Sequence, residues 1–147
     1  MMKFLVLGLT ILLGLNSVVA QVFDFVVAKD GSGTHTTIQS AIDACPNSVH
    51  KNIFVKAGTY REKVYIGSHS VVSTKHISLI GEDPLKTLIV WDDYNGKSIY
   101  YYGSSTASIA GGPQSATFTV NAVDFYAENI TFQNEYTAAQ AVALYNV

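Results

Sequence analysis

After residue 50 the chain is a succession of short apolar runs rich in β-branched and aromatic residues: "NIFVKAG", "KVYIG", "HISLIGE", "TLIVWDD", "ATFTV", "DFYAENITFQN" and "QAVALYNV". Such runs read as strands, and no helical period separates them. Their spacing restricts the fold further. Ile53 and Val55 recur as Ile77 and Leu79, Val64 and Ile66 as Leu88 and Val90, and Phe118 and Val120 as Val142 and Leu144, each at a step of 24 residues. A constant period with several short strands per repeat fits a parallel β-helix, whose coils stack about 4.8 Å apart so that equivalent inward residues form ladders. A β-sandwich also uses many short strands, but its turns need not keep a constant period.

One segment interrupts the repeat. Residues 92–115, "DDYNGKSIYYYGSSTASIAGGPQS", are rich in Gly, Ser and Tyr and read as a long excursion from one coil. Long loops on a rigid scaffold often carry binding, and Tyr100 to Tyr102 are candidates to stack on sugar faces, or else to pack on the coil wall.

Ahead of the strands lies one helix pattern, "THTTIQSAIDACPN". Thr36 with Gln39 makes a capping box, Ile38, Ala41, Ile42 and Cys45 share one face, and Pro46 closes the segment. Cys45 is the sole cysteine, so no internal disulfide forms, and its place on the apolar face marks it as a core residue rather than a reactive thiol. The first twenty residues, with Lys3, an apolar stretch from Phe4 to Leu15 and small residues Val18 and Ala20, read as a secretory signal peptide, shorter than a membrane span. The expected organisation is therefore signal peptide 1–20 and one domain over 21–147, soluble and exported, with no membrane association after cleavage. Charged residues are 14% of the chain with no basic cluster, which argues against a nucleic-acid partner. His35, His50, His69 and His76 lack ligand-type spacing, so no metal is expected.

The search for chemistry excludes more than it finds. There is no G-x-S-x-G, and "GSGTHT" has Thr36 where a dinucleotide-binding turn needs its third glycine; Gly31 and Gly33 are better read as a tight turn into the helix. In "AGTYREKV", Gly58 can supply a positive-φ turn, and Tyr60 and Glu62 alternate onto one face. Glu62 is either an acid or base, or a structural carboxylate held by a Tyr hydroxyl or by turn amides. "NIT" at Asn129 to Thr131 is the one N-glycosylation sequon. It is expected to lie within a strand, with Ile130 and Phe132 facing the core and Asn129 the opposite wall, and so to be occupied partially at most.

Taken in order, "VVAKDGSGTHTTIQSAIDACP", "IFVKAGTYREKV", "ISLIGEDPLKTLIV", "SATFTV", "FYAENITFQN" and "QAVAL" resemble the plant-type pectinesterases, or pectin methylesterases, over nearly all of the chain after the signal peptide. The resemblance implies an all-β, right-handed, single-stranded parallel β-helix with an N-terminal capping helix. It implies an aspartyl esterase that hydrolyses the methyl esters of homogalacturonan in cell-wall modification and pectin catabolism, without a cofactor and subject to a proteinaceous pectinesterase inhibitor. The family's first oxyanion-stabilising glutamine falls on Gln140, and Thr117 lies in a segment expected to touch substrate. Gly112 and Pro113 depart from the Thr-Phe that many members carry there. The family's second glutamine, its two catalytic aspartates and its Arg-Pro-Trp motif lie downstream of Q-A-V-A-L, and none of the eleven acidic residues here matches them. A β-helix stopped at Val147 leaves an open edge, so the chain reads as the amino-terminal part of such a domain, from an incomplete gene product or a noncatalytic remnant. Two other readings are a noncatalytic wall-polysaccharide or interaction module using the Tyr-rich loop, and another β-helix pectin-degrading enzyme, whose calcium-binding acidic clusters are missing.

Overall fold

A computed structural model describes residues 21–68, 70–100 and 104–147. The expected signal peptide, Tyr101 and Tyr102 lie outside them. After strand β1 (Phe25–Val27) and helix α1 (Ile38–Ala44), the chain winds through three coils of three strands each. The first coil is β2 (His50–Val55), β3 (Gly58–Arg61) and β4 (Val64–Ile66). The second is β5 (Ser73–Gly81), β6 (Thr87–Trp91) and, after a hairpin of β7 (Ser98–Tyr100) and β8 (Ala107–Ile109), β9 (Phe118–Val120). The third is β10 (Ala122–Glu128), β11 (Thr131–Asn134) and β12 (Leu144–Asn146). Like strands stack into three parallel walls, ordered β1-β2-β5-β10, β3-β6-β11 and β4-β9-β12; among the described residues only β7 and β8 pair antiparallel.

The walls confirm the coil architecture and correct its register. Ile53 aligns with Leu79 and Phe118 with Leu144, 26 residues apart rather than 24, and Tyr60 aligns with Ile89, 29 apart. Val64 and Ile66 pair with Phe118 and Val120, not with Leu88 and Val90, which belong to a different wall. The reason is the two-residue side-chain period of a strand: a slip of two keeps every apolar residue facing inward, so the hydrophobic pattern cannot tell 24 from 26. Corners of unequal length then set the true spacing. Inward ladders such as Ile53–Leu79 and Tyr60–Ile89–Phe132 meet Val64 and Phe118 in one continuous core.

Helix α1 closes the amino-terminal end of that core. Ile38, Ala41, Ile42 and Cys45 are buried in it, and full burial of Ile38 and Ile42 contributes about 1.5–3 kcal/mol each. Burial also pushes the Cys45 thiol up, and its Sγ donates to the Ala41 carbonyl, as befits an inert core residue. The cap is Thr37, whose hydroxyl accepts from Ser40 N, one residue beyond the expected Thr36. Gln39 instead bonds the backbone of Tyr65 in both directions, accepting from its N–H at 2.8 Å and donating to its carbonyl at 3.1 Å.

The G-x-Y-x-E motif serves this helix. Glu62 accepts from Ile38 N at 2.9 Å on Oε1 and from Gln39 N at 3.0 Å on Oε2, so both carboxylate oxygens hold the helix start. Of the two readings of Glu62 the structural one is realised, through helix amides rather than the Tyr60 hydroxyl, which donates to Lys56 O. Gly58 differs from expectation: it opens β3 opposite Thr87 without a positive φ, and a Cβ there meets only ordinary contacts. Among the described glycines, positive φ falls on Gly31, Gly67 and Gly96. Gly31 thus makes the turn expected before the helix, while Gly33 is needed because a Cβ would stand 2.3 Å from the Val26 carbonyl oxygen.

The sequon is also placed differently. Asn129 sits between β10 and β11, exposed and left-handed at φ 56°, a conformation its short polar side chain tolerates. Ile130 and Phe132 do pack on the core as expected, but Asn129 lies at the break between the two strands rather than within one.

Removing the Glu62 carboxylate should loosen the amino-terminal end. Glu62→Ala is expected to lower unfolding free energy by about 2–4 kcal/mol, two charge-assisted hydrogen bonds being lost, and Glu62→Gln by less. Thermal and denaturant unfolding with unchanged stability in Glu62→Ala would refute the capping role.

Candidate active site

The corner between the second and third walls is where the three coils differ most. In the first coil it is only Glu62 and Lys63, in the second it is the excursion from Asp92 to Thr117, and in the third it runs from Glu135 to Ala143. Gln140 lies here, exposed, in irregular chain four residues before β12 rather than at the head of a strand. Its carbonyl accepts from Asn95 N at 2.9 Å, which pins its backbone to the excursion. Its side chain lies against Gly112: a Cβ there would stand 3.2 Å from Gln140 Nε2 and 3.5 Å from Cδ. The glycine that departs from the family pattern therefore leaves room for the amide. Leu144, expected to anchor this run inside, is 44% exposed, because β12 is the edge of its wall and is covered from one side only.

Thr117 is corrected outright as a surface residue. It is fully buried, its hydroxyl donates to the Gln133 carbonyl at 3.0 Å and its N–H to the Val142 carbonyl at 3.1 Å, so it ties coils together and offers a ligand no surface. Tyr100 is well exposed on β7, whereas the other two tyrosines of its run fall outside the described residues.

Charged groups fasten the excursion at its root. Lys63, nearly buried, donates to Asp93 Oδ2 and to the Gln114 carbonyl at 2.7 Å; Lys97 pairs with Asp93 at 2.8 Å and with Asp92 at 3.1 Å. Arg61 pairs with Asp92 and Glu135 and lies over the Trp91 ring, so one guanidinium spans three coils. Burial alone would push the Asp93 carboxyl up, but hydrogen bonds from Lys63 and Lys97 outweigh it and hold the group below the usual carboxylate range. Burial pushes the Lys63 ammonium down against the pull of Asp93.

Sequence reasoning did not single out Asn134, which organises this corner. Its Nδ2 lies 2.9 Å from the Asp93 carbonyl and 3.1 Å from those of Ser115 and Val142, and its Oδ1 accepts from Tyr136 N at 3.0 Å. Tyr94 and Tyr136 stack at 4.0 Å with planes 14° apart. Neither was legible, since partners 41 or 42 residues apart carry no local pattern.

Asp93 supplies a pH prediction. Its folded value lies below the unfolded one, so the unfolded chain takes up the proton first; this stability is present above about pH 4 and lost as pH falls through the folded value. Asp93→Asn should cost about 3 kcal/mol at neutral pH and give a shallower acid decline in thermal unfolding between about pH 6 and pH 2. An acid limb identical to that of the unaltered chain would exclude Asp93 as its source.

Comparison with known proteins gives the family. The Pectinesterase family model matches residues 24–147. A probable pectinesterase/pectinesterase inhibitor of Arabidopsis thaliana is 41% identical over 129 residues, covering 82% of this chain and 20% of that protein. The pectin methylesterase from carrot superposes with a TM-score of 0.65 at 34% identity, over 85% of this chain and 36% of that one. A pectin methylesterase crystallised with a hexasaccharide gives a TM-score of 0.70 at 28% identity, over 86% and 40% of the two chains. The chain spans about a fifth of the length of the first plant relatives it matches. With its family model matched from the first strand to the last and its coils superposing on solved pectin methylesterases, the chain belongs to the pectinesterase family.

Proposed function

We propose that residues 21–147 form the amino-terminal part of a secreted pectinesterase domain that hydrolyses the methyl esters of cell-wall homogalacturonan to carboxylates and methanol. The observation that carries the reading is Gln140: an exposed amide, in the family's Q-A-V-A-L element, held by its backbone to the excursion and by its side chain against Gly112. A neutral N–H donor aimed at a developing oxyanion stabilises the tetrahedral intermediate of acyl transfer without adding a group that titrates. In this reading a carboxylate supplied by the domain's later coils attacks the ester carbonyl, methanol leaves with the proton given by a second carboxylic acid, and water cleaves the acyl intermediate. Glu62 takes no part, since both of its oxygens are engaged by helix amides. No helix among the described residues is long and apolar enough to cross a membrane. Export rests on the leader-like first twenty residues, and the protein partner we assign is a proteinaceous pectinesterase inhibitor. A structural neighbour described as a pectin methylesterase was crystallised with a hexasaccharide, which supports an oligosaccharide as the ligand.

In the complete catalytic domain, Gln140→Ala should lower methanol release from methyl-esterified pectin by about 10²–10³-fold while leaving thermal unfolding unchanged. The 147-residue chain by itself should release none above background, because an oxyanion donor without a nucleophile forms no acyl intermediate. Undiminished turnover in the variant, or hydrolysis by the short chain at the rate of the complete domain, would overturn the assignment.

A further inference from the structure

Tyr94 and Tyr136 come from different coils, one from the third position of the excursion and the other two residues past β11, yet their rings stack at 4.0 Å and 14°. Both are half-buried rather than buried, and their chain neighbours Asn95, Glu135 and Thr137 are exposed. Core aromatics in this chain, such as Tyr60 and Phe118, lie instead within the inward ladders. The pair borders Gln140, because Asn95, the residue after Tyr94, donates its N–H to the Gln140 carbonyl. One side chain touches all three of these segments. Asn134 accepts from the N–H of Tyr136, donates to the carbonyl that precedes Tyr94, and reaches the Val142 carbonyl two residues beyond Gln140.

We propose that the stacked Tyr94–Tyr136 pair is a carbohydrate platform beside Gln140 that takes one face of a galacturonate ring of the pectin chain, with Asn134 as its positioning residue. The proposal rests on the pectin reading above. A galactose-configured ring within the chain carries its axial C4 oxygen, here glycosidic, on one face and axial C–H groups at C3 and C5 on the other, and these suit the negative face of an aromatic ring. Stacking the two tyrosines on each other supports each plate from behind, so little side-chain freedom is lost on binding. The ring that lies on this platform is held one short segment from the Gln140 amide, which ties the position of the sugar chain to the position of the ester. The tyrosine face would thus set which residue of the polymer is presented for hydrolysis.

The test is calorimetric titration of the complete catalytic domain with unesterified hexagalacturonate, which the esterase does not turn over. Tyr94→Ala and Tyr136→Ala are each expected to weaken binding by about 5- to 10-fold, and the phenylalanine variants by less than about twofold, since the π face is kept. Tyr136→Leu, which preserves apolar bulk without a π face, should bind as poorly as Tyr136→Ala and secures the test if alanine disturbs folding. Tyr126→Ala, an exposed ring on β10 in the first wall, should bind as the unaltered chain does. Asn134→Ala should weaken binding as much as the loss of one ring, and adding Tyr136→Ala to it should bring little further loss, as for residues acting in one unit. Binding by Tyr136→Leu equal to that of the unaltered chain, or an equal loss in Tyr126→Ala, overturns the platform while sparing the pectin reading. A complete domain with both tyrosines intact that does not bind the oligosaccharide overturns both.

Discussion

Each strand of the three coils takes its backbone partners from the layer above or below, never from the strand beside it in its own coil. Stacking is therefore the condition on which every wall depends: a strand has nothing to pair with until the adjacent coil is in place. Such a stack needs a defined first layer, and here it is made by α1 and β1. The helix covers the apolar end of the core, and Glu62 from the first coil holds the helix by its first two amides. The most recognisable motif of the first coil is thus a fastening between the plug and the stack, which is why its carboxylate is not free for chemistry.

The walls are uniform and the corners are not. A corner can lengthen without disturbing the ladders on either side, because loop closure costs grow slowly with length. The excursion exploits this at one corner, leaving after β6 and rejoining before β9 while β4 and β9 remain in register. Lys63 and Asp93 pin its root. A buried ion pair adds little net stability over apolar packing, since desolvation offsets the attraction. Its effect here is positional: the ammonium that binds Asp93 also binds the Gln114 carbonyl, so both ends of the excursion are drawn to one point on the first coil.

Fold class was legible because inward apolar residues repeat in stacked coils, and a period is visible in sequence before any contact is known. Register was not, for the reason that makes the pattern robust: Ile53 could be matched to Ile77 or Leu79 without any side chain changing face. Gln140 was legible only through its motif, and its surroundings were not. Asn134 joins four backbone groups, two from the excursion and two from the third-coil corner, and Tyr94 meets Tyr136 only after two coils are stacked. Thr117 shows the converse error, a polar residue in a motif that suggests exposure, which the fold spends on the Gln133 carbonyl inside.

These facts bear on how such a site can change without loss of the scaffold. A substitution on an inward ladder is felt by residues on neighbouring coils, because their side chains pack at fixed spacing. A substitution at the corner is felt only by what the corner presents. Gly112 illustrates the point: it is absent from the usual family pattern, alters no wall pairing, and yet decides how closely the Gln140 amide lies to the excursion. Asn134 stands at the boundary between the two regimes, being the last residue of β11 and paired with Trp91 through its backbone while its side chain reaches into the corner. Rigidity of the wall is carried into the corner through that side chain together with Lys63 and Arg61, so the irregular part of the molecule is held to the tolerance of the regular part.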